Sequence, residues 1–96
     1  MGILHKWSKD DDLVAFYLYK FGDNHLSLKR RDIGKILGMG YGSLIMRISN
    51  FKSIDRESKG LDHFAKQSME IYTKYKHLPE DELIQKVNAI LKKHNT

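Results

Sequence analysis

The sequence predicts an all-α protein, a compact bundle of about five helices that contains a helix-turn-helix. Three observations predict it. Five stretches carry apolar residues at helical spacing, none shows the sustained apolar–polar alternation of a strand, and 96 residues suit a single domain, 1–96. Cys is absent, which excludes disulfides and Cys-ligated zinc. No run approaches the ~20 apolar residues of a membrane span, so no membrane partner is expected. The N-terminus shows no targeting signal, because its apolar stretch Ile3-Leu4 is far too short for a signal-peptide core, so we expect a cytoplasmic protein.

The first helix is predicted to open at Ser8, an N-cap residue that forms a Ser-x-x-Asp pattern with Asp11. Trp7 is placed to pack back over this start. The body of the helix is apolar nearly all round, so we expect it to be the most buried element. Gly22 ends it.

The second and third helices form the predicted helix-turn-helix, at about 28–52. Helix two begins after Ser27 as N-cap and stops at Gly38, and helix three runs from about Tyr41 to Lys52. The small residue Gly34 allows a close crossing. The predicted core stripe of helix three is Leu44, Ile45, Ile48 and Phe51.

The C-terminal part predicts a polar loop at 55–60 and two helices, at about 62–76 and 79–93. Pro79 is the predicted first position of the last helix. The apolar stripe of that helix makes it the expected element for a homodimer, with capping of the bundle as the alternative. That stripe is Leu83, Ile84, Val87, Ile90 and Leu91.

The net charge of +5 is concentrated in one part of the chain. Residues 1–24 carry −1, residues 53–96 carry +1, and residues 25–52 carry the remaining +5. Such clustering indicates a polyanionic partner, most often nucleic acid, although a solvated basic face gives the same pattern. Together with the helix-turn-helix spacing, it predicts binding to double-stranded DNA.

The candidate DNA-binding residues divide into two groups. Phosphate contacts are predicted for Lys29, Arg30, Arg31, Lys35 and Lys52, and contacts in the groove for Tyr41, Ser43, Arg47 and Asn50. Arg47 suits guanine and Asn50 suits adenine. Two alternatives stay open: Arg47 pairs with a carboxylate or stacks on Tyr41, and Asn50 is a helix C-cap.

Three cations crowd the first turn of helix two, where the helix dipole disfavours them. The last helix has the opposite arrangement, with acidic residues in its first turn and basic residues in its last turn, as the helix dipole favours. A phosphate at the start of helix two would turn this penalty into a gain, since backbone N–H groups and cations would meet one anion. A solvated Lys/Arg run is the alternative.

The run Gly42-Ser43-Leu44-Ile45-Met46-Arg47-Ile48-Ser49-Asn50-Phe51, with the opening Trp7-Ser8-Lys9-Asp10, resembles a known domain. This is the N-terminal domain found ahead of HNH nuclease domains in predicted restriction endonucleases. The resemblance spans roughly residues 7–75 and is most specific over 41–55. It implies that Ser43, Arg47 and Asn50 belong to a segment that engages DNA. Because the sequence stops where the nuclease would begin, no cleavage activity is expected.

No enzyme, metal site or cofactor is predicted. Glu57-Ser58-Lys59 matches part of a metal-dependent nuclease site but lies in a predicted loop, and the five His lack zinc-binding spacing. The expected role is a small transcriptional regulator or a DNA-targeting subunit of a restriction-like system. The alternative is a protein-interaction module, an anti-restriction or phage/host adaptor, that uses the same basic face.

Overall fold

The structure, a computed structural model, describes residues 6–57 and 66–94. These residues contain five α-helices and no strand, so the predicted all-α bundle is confirmed. The helices are α1 (Lys9–Phe21), α2 (Arg30–Leu37), α3 (Tyr41–Glu57), α4 (Lys66–Tyr75) and α5 (Glu80–His94). Helix α1 packs against α3, α4 and α5, while α2 packs on α3 and α5.

Helix α1 is the central element, as predicted. Residues 11–18 are all buried. Its start is fixed by a capping box in which the Asp11 N–H donates to Ser8 Oγ at 3.0 Å and the Ser8 N–H donates to Asp11 Oδ2 at 3.1 Å. At the other end the Gly22 N–H donates to the Leu18 carbonyl with a positive φ of 74°.

The predicted start of helix two is wrong. Lys29, not Ser27, is the N-cap, and it makes no side-chain capping bond. The Asp23 carboxylate instead accepts the Arg30 N–H at 3.0 Å. The sequence predicted that a bound phosphate would supply the anion at the start of this helix. In the structure, a carboxylate from the turn after α1 occupies that place.

Helix α3 continues five residues past Lys52, and the predicted loop at 55–60 is wrong as far as Glu57. Two contacts hold this extra length. Ile54 is buried one turn after Phe51, and the Asp55 carboxylate accepts hydrogen bonds from Tyr19 and Tyr72. Residues 58–65, which include the second half of the predicted loop and the start of predicted helix four, lie outside the described residues.

Helix α5 begins one residue later than predicted, after Pro79. Its stripe turns inward: Leu83, Val87, Ile90 and Leu91 are buried in the core of the chain. The helix therefore covers the bundle, the alternative left open by the sequence. A homodimer stays a prediction, but this stripe is not available to form it.

Three residues, 38–40, join α2 to α3. Gly38 adopts the left-handed conformation, with φ 84° and ψ 14°, and its N–H donates to the Lys35 carbonyl at 3.2 Å. Gly34 is buried, and a Cβ there would lie 3.4 Å from the Met39 carbonyl oxygen and 3.6 Å from the Tyr41 Cα. The two glycines thus allow the tight turn and the close approach that the spacing predicted.

Gly38→Ala should lower the free energy of unfolding by about 1–2 kcal/mol, because an L side chain is strained at this φ. Gly42→Ala is the matched control. Gly42 lies inside α3 without a positive φ and with open space around it, so the alanine should raise stability by about 0.5–1 kcal/mol. Urea denaturation measures both variants. Equal effects of the two substitutions would contradict the left-handed turn.

Candidate functional site

Arg47 does not face outward, so its predicted contact with bases is wrong. Its guanidinium forms a two-point ion pair with Asp12, Nε to Oδ1 at 2.6 Å and Nη2 to Oδ2 at 2.7 Å. It also lies over the Trp7 ring, 4.6 Å from the centroid, with a side-chain exposure of 14%. Pairing with a carboxylate, the alternative given by the sequence, is what the structure shows.

The partner carboxylate is fully buried. Asp12 has 0% exposure and also accepts hydrogen bonds from Gln67 Nε2 at 2.7 Å and Ser68 Oγ at 3.1 Å. These contacts join α1, α3 and α4. In the sequence, Asp12 is one of three acidic residues in the first turn of helix one. Acidic residues in a first turn are usually exposed and interact favourably with the helix dipole.

Three other cations converge on a shallow groove of about 590 Å³ between α1, the start of α2 and α3. Its basic lining residues are Arg30, Lys52 and Arg56, and its apolar floor includes Leu18, Ile45 and Ile48, with Tyr19 and Ser49 completing the lining. None of these lining residues is acidic. The sequence had assigned Arg56 to a loop and missed it. A longer helix three would have placed it one turn after Lys52.

Arg30 is the deepest of these cations. Its Nε atom is buried and makes no hydrogen bond within the described parts of the chain. Its Nη2 atom lies close to Gly22, 3.8 Å from where a Cβ would stand. A buried guanidinium donor without an acceptor is unusual, because desolvation of that N–H is left uncompensated.

Arg31 stacks on Tyr41, with its guanidinium carbon 4.5 Å from the ring centroid. Tyr41 is 39% exposed and lies one helical turn before Ile45 of the groove. Arg31 therefore extends the row of cations toward the start of α3. We call Arg30, Arg31, Lys52 and Arg56 the cationic strip.

The remaining predicted residues are spread around the strip. Lys29 and Lys35 are exposed, before α2 and on its outer face. Ser43 is exposed on α3, and Asn50 is half-buried there. Because α3 continues to Glu57, Asn50 is not a C-cap and that alternative is wrong. For Met46 the sequence favours a core or partner-facing position over a contact with bases; it is 72% exposed and so does not belong to the core.

A second cleft adjoins the groove at Tyr19 and surrounds Asp55. Hydrogen bonds from Tyr19 and from Tyr72, the latter at 2.5 Å, hold the pKa of the Asp55 carboxyl below its usual value. Burial and the bond to Asp55 raise the pKa of Tyr19 to about 12, and the bond to Asp55 raises that of Tyr72 to about 12. This exposed carboxylate is thus paired with two tyrosine hydroxyls, one from α1 and one from α4.

The described residues offer neither a metal site nor a membrane-spanning helix. No group of three or more His, Asp and Glu side chains is placed to hold a metal ion there. None of the described helices combines the length and the apolar character needed to cross a bilayer. Most of the Glu57-Ser58-Lys59 pattern lies outside the described part of the chain.

Comparison with known proteins finds no matching family model, no matching curated protein and no matching solved structure. The resemblance to the domain that precedes HNH nucleases therefore stays a prediction.

Arg47→Ala should lower the free energy of unfolding by about 3 kcal/mol, because it leaves a fully buried carboxylate without its cation. Arg56→Ala, which removes an exposed arginine of the same helix, should change it by less than about 0.5 kcal/mol. Chemical denaturation compares the two. If Arg47→Ala were as mild as Arg56→Ala, the buried pair would not exist in solution.

Stability should fall as the pH rises above 10. Burial raises the pKa of Tyr17 to about 12, and Tyr19 and Tyr72 share that value, against an ordinary 10.0. A tyrosine whose pKa is higher in the folded than in the unfolded chain favours folding as long as it is neutral. The contribution of these tyrosines to the free energy of unfolding is therefore complete below pH 10 and is lost as the pH rises through 12. Tyrosinate absorbance and unfolding at several pH values measure it.

Asp55→Asn is the matched variant for this titration. It should return the pKa of Tyr19 and Tyr72 toward 10 and leave that of Tyr17 raised, because Tyr17 donates to Glu80 instead. Wild-type protein in which all tyrosines ionise near pH 10 would refute the prediction.

Proposed function

We propose that the protein binds double-stranded DNA and that the cationic strip contacts the phosphates. The observation that carries the proposal is the convergence of Arg30, Lys52 and Arg56 on one groove whose lining residues include no acid. Cations grouped in this way favour a phosphate backbone, because each neutralised phosphate releases condensed counterions.

The ion pairs of the fold support this choice. Of the six cations in residues 25–52, Arg47 is neutralised by Asp12, while Lys29, Arg31, Lys35 and Lys52 are exposed. The positive excess of this region therefore lies on the surface. Such a surface attracts polyanions over distances comparable with the Debye length, about 10 Å at 0.1 M salt.

In the proposed complex, α2 and α3 act as a helix-turn-helix. The exposed residues of α2 approach one phosphate backbone, and α3 presents its outer face to the major groove. The finer role is a small transcriptional regulator or a DNA-targeting subunit of a restriction-like system. A single module of this size buries about 600–1,000 Å² on DNA, so a homodimer would strengthen a specific site.

Reversing charges on the strip should weaken binding to duplex DNA. For Lys52→Glu with Arg56→Glu we expect at least about tenfold weaker binding at low salt. The slope of log K against log [salt] should become shallower, by about 0.9 for each phosphate that the variant no longer neutralises. Fluorescence anisotropy at several salt concentrations measures both quantities. Arg30→Gln tests the third cation without placing a carboxylate in its partly buried position.

Lys86→Glu with Lys92→Glu is the charge-matched control. Both lysines are exposed on α5, and the change in net charge is the same. The control should keep most of the affinity and the wild-type slope. Equal losses of affinity in the two double variants would show that only net charge matters, and wild-type protein without a salt slope would refute DNA binding.

The apolar floor of the groove favours a second candidate, an acidic amphipathic segment of a protein partner. Leu18, Ile45 and Ile48 would take its apolar side chains, and the strip its carboxylates. Ile45→Ala should weaken binding of such a segment and leave DNA binding nearly unchanged. This contrast separates the two candidates.

A further inference from the structure

The outer face of α3 has no charged side chain in its centre, although cations border it. Gly42, Met46, Ser49 and Ser53 lie opposite the buried residues Leu44 and Phe51 on the helix. Ser43 and Asn50 border this face on one side, and Lys52 and Arg56 of the strip border it on the other. Small side chains here let the helix backbone come close to a partner, while the cations hold the partner in place.

Met46 stands out on this face. With 72% exposure it is the most exposed large apolar residue of the described chain. Its unbranched side chain can adapt to an apolar group brought against it, and that contact would remove apolar surface from water. The neighbouring small residues leave it accessible from the side that carries the positive charge.

Asn50 lies one helical turn after Met46. Its side-chain amide makes no hydrogen bond to any residue in 6–57 or 66–94. The amide offers a donor and an acceptor side by side, and this pair matches the N6 and N7 edge of adenine. Guanine presents two acceptors instead, which suit arginine, and Arg47, on the same helix, is held by Asp12.

We infer that Met46 and Asn50 read A·T base pairs in the major groove, Asn50 by a two-point contact with adenine and Met46 by contact with the thymine C5-methyl group. The inference rests on the proposed binding of duplex DNA and adds the class of sequence that is preferred. A helical turn advances about 5.4 Å and a base pair about 3.4 Å, so the two side chains are spaced to reach neighbouring base pairs, roughly one to two steps apart.

Three duplexes of equal length test the inference by anisotropy: one A·T-rich, one G·C-rich, and the A·T-rich one with uracil in place of thymine. Wild-type protein should bind the A·T-rich duplex about tenfold more tightly than the G·C-rich one, and uracil should cost about threefold because only the methyl group is removed. The salt slope should be the same for all three.

Two alanine variants assign the contacts. Asn50→Ala should reduce the preference for A·T over G·C to about twofold, and Met46→Ala should abolish the difference between thymine and uracil. Both positions lie inside a helix and tolerate alanine, and Gln85→Ala on the exposed face of α5 is the control. The control should keep both preferences.

Several results would overturn the inference. If Asn50→Ala keeps the full A·T preference, the preference comes from DNA shape. If Met46→Ala keeps the uracil effect, another residue contacts the methyl group. If the wild type binds all duplexes equally with a steep salt slope, the inference fails and the proposed function stands. Absence of duplex binding refutes both.

Discussion

The arrangement of the whole bundle depends on how one buried charge is satisfied. Asp12 has no exposed surface, and a carboxylate in that position costs several kcal/mol unless cations and hydrogen-bond donors surround it. Arg47 supplies the cation from α3, while Gln67 and Ser68 supply donors from α4. Because these contacts are directional, they fix the rotation of α3 about its own axis as well as its position.

That rotation decides which side chains reach solvent. With Arg47 turned toward α1, the opposite side of the helix carries Met46 and Ser49, and the cations of α3 available outside are Lys52 and Arg56. The same ion pair that stabilises the fold thus makes Arg47 unavailable for the guanine contact that the sequence predicted. Under the proposed DNA binding, stability and base preference are linked through a single guanidinium.

Much of the fold followed from local signals in the sequence. Ser8, Gly22 and Gly38 marked helix ends correctly because capping depends on a few neighbouring residues. The errors arose where distant residues decide. Asp23 caps α2 from the preceding turn, and Asp55 extends α3 because Tyr19 and Tyr72 donate to it from α1 and α4. Asp12 and Arg47 are 35 residues apart in the sequence, so their pairing also depends on the packing of distant helices and not on a local signal.

The described residues carry electrostatic costs that their packing offsets only in part: the Asp23 carboxylate accepts the Arg30 N–H at the start of α2, but no described residue accepts from Arg30 Nε. Lys52 and Arg56 are like charges one turn apart, which destabilises a helix by about 0.2–0.5 kcal/mol. Arg30 lies in the same groove with a buried donor that has no acceptor among the described residues, and Lys29 and Arg31 stand beside it where the dipole disfavours cations. Elsewhere the chain places its charges favourably, as the acidic start and basic end of α5 show. Unfavourable terms gathered at one place are typical of a binding site, because an arriving anion turns each of them into a gain.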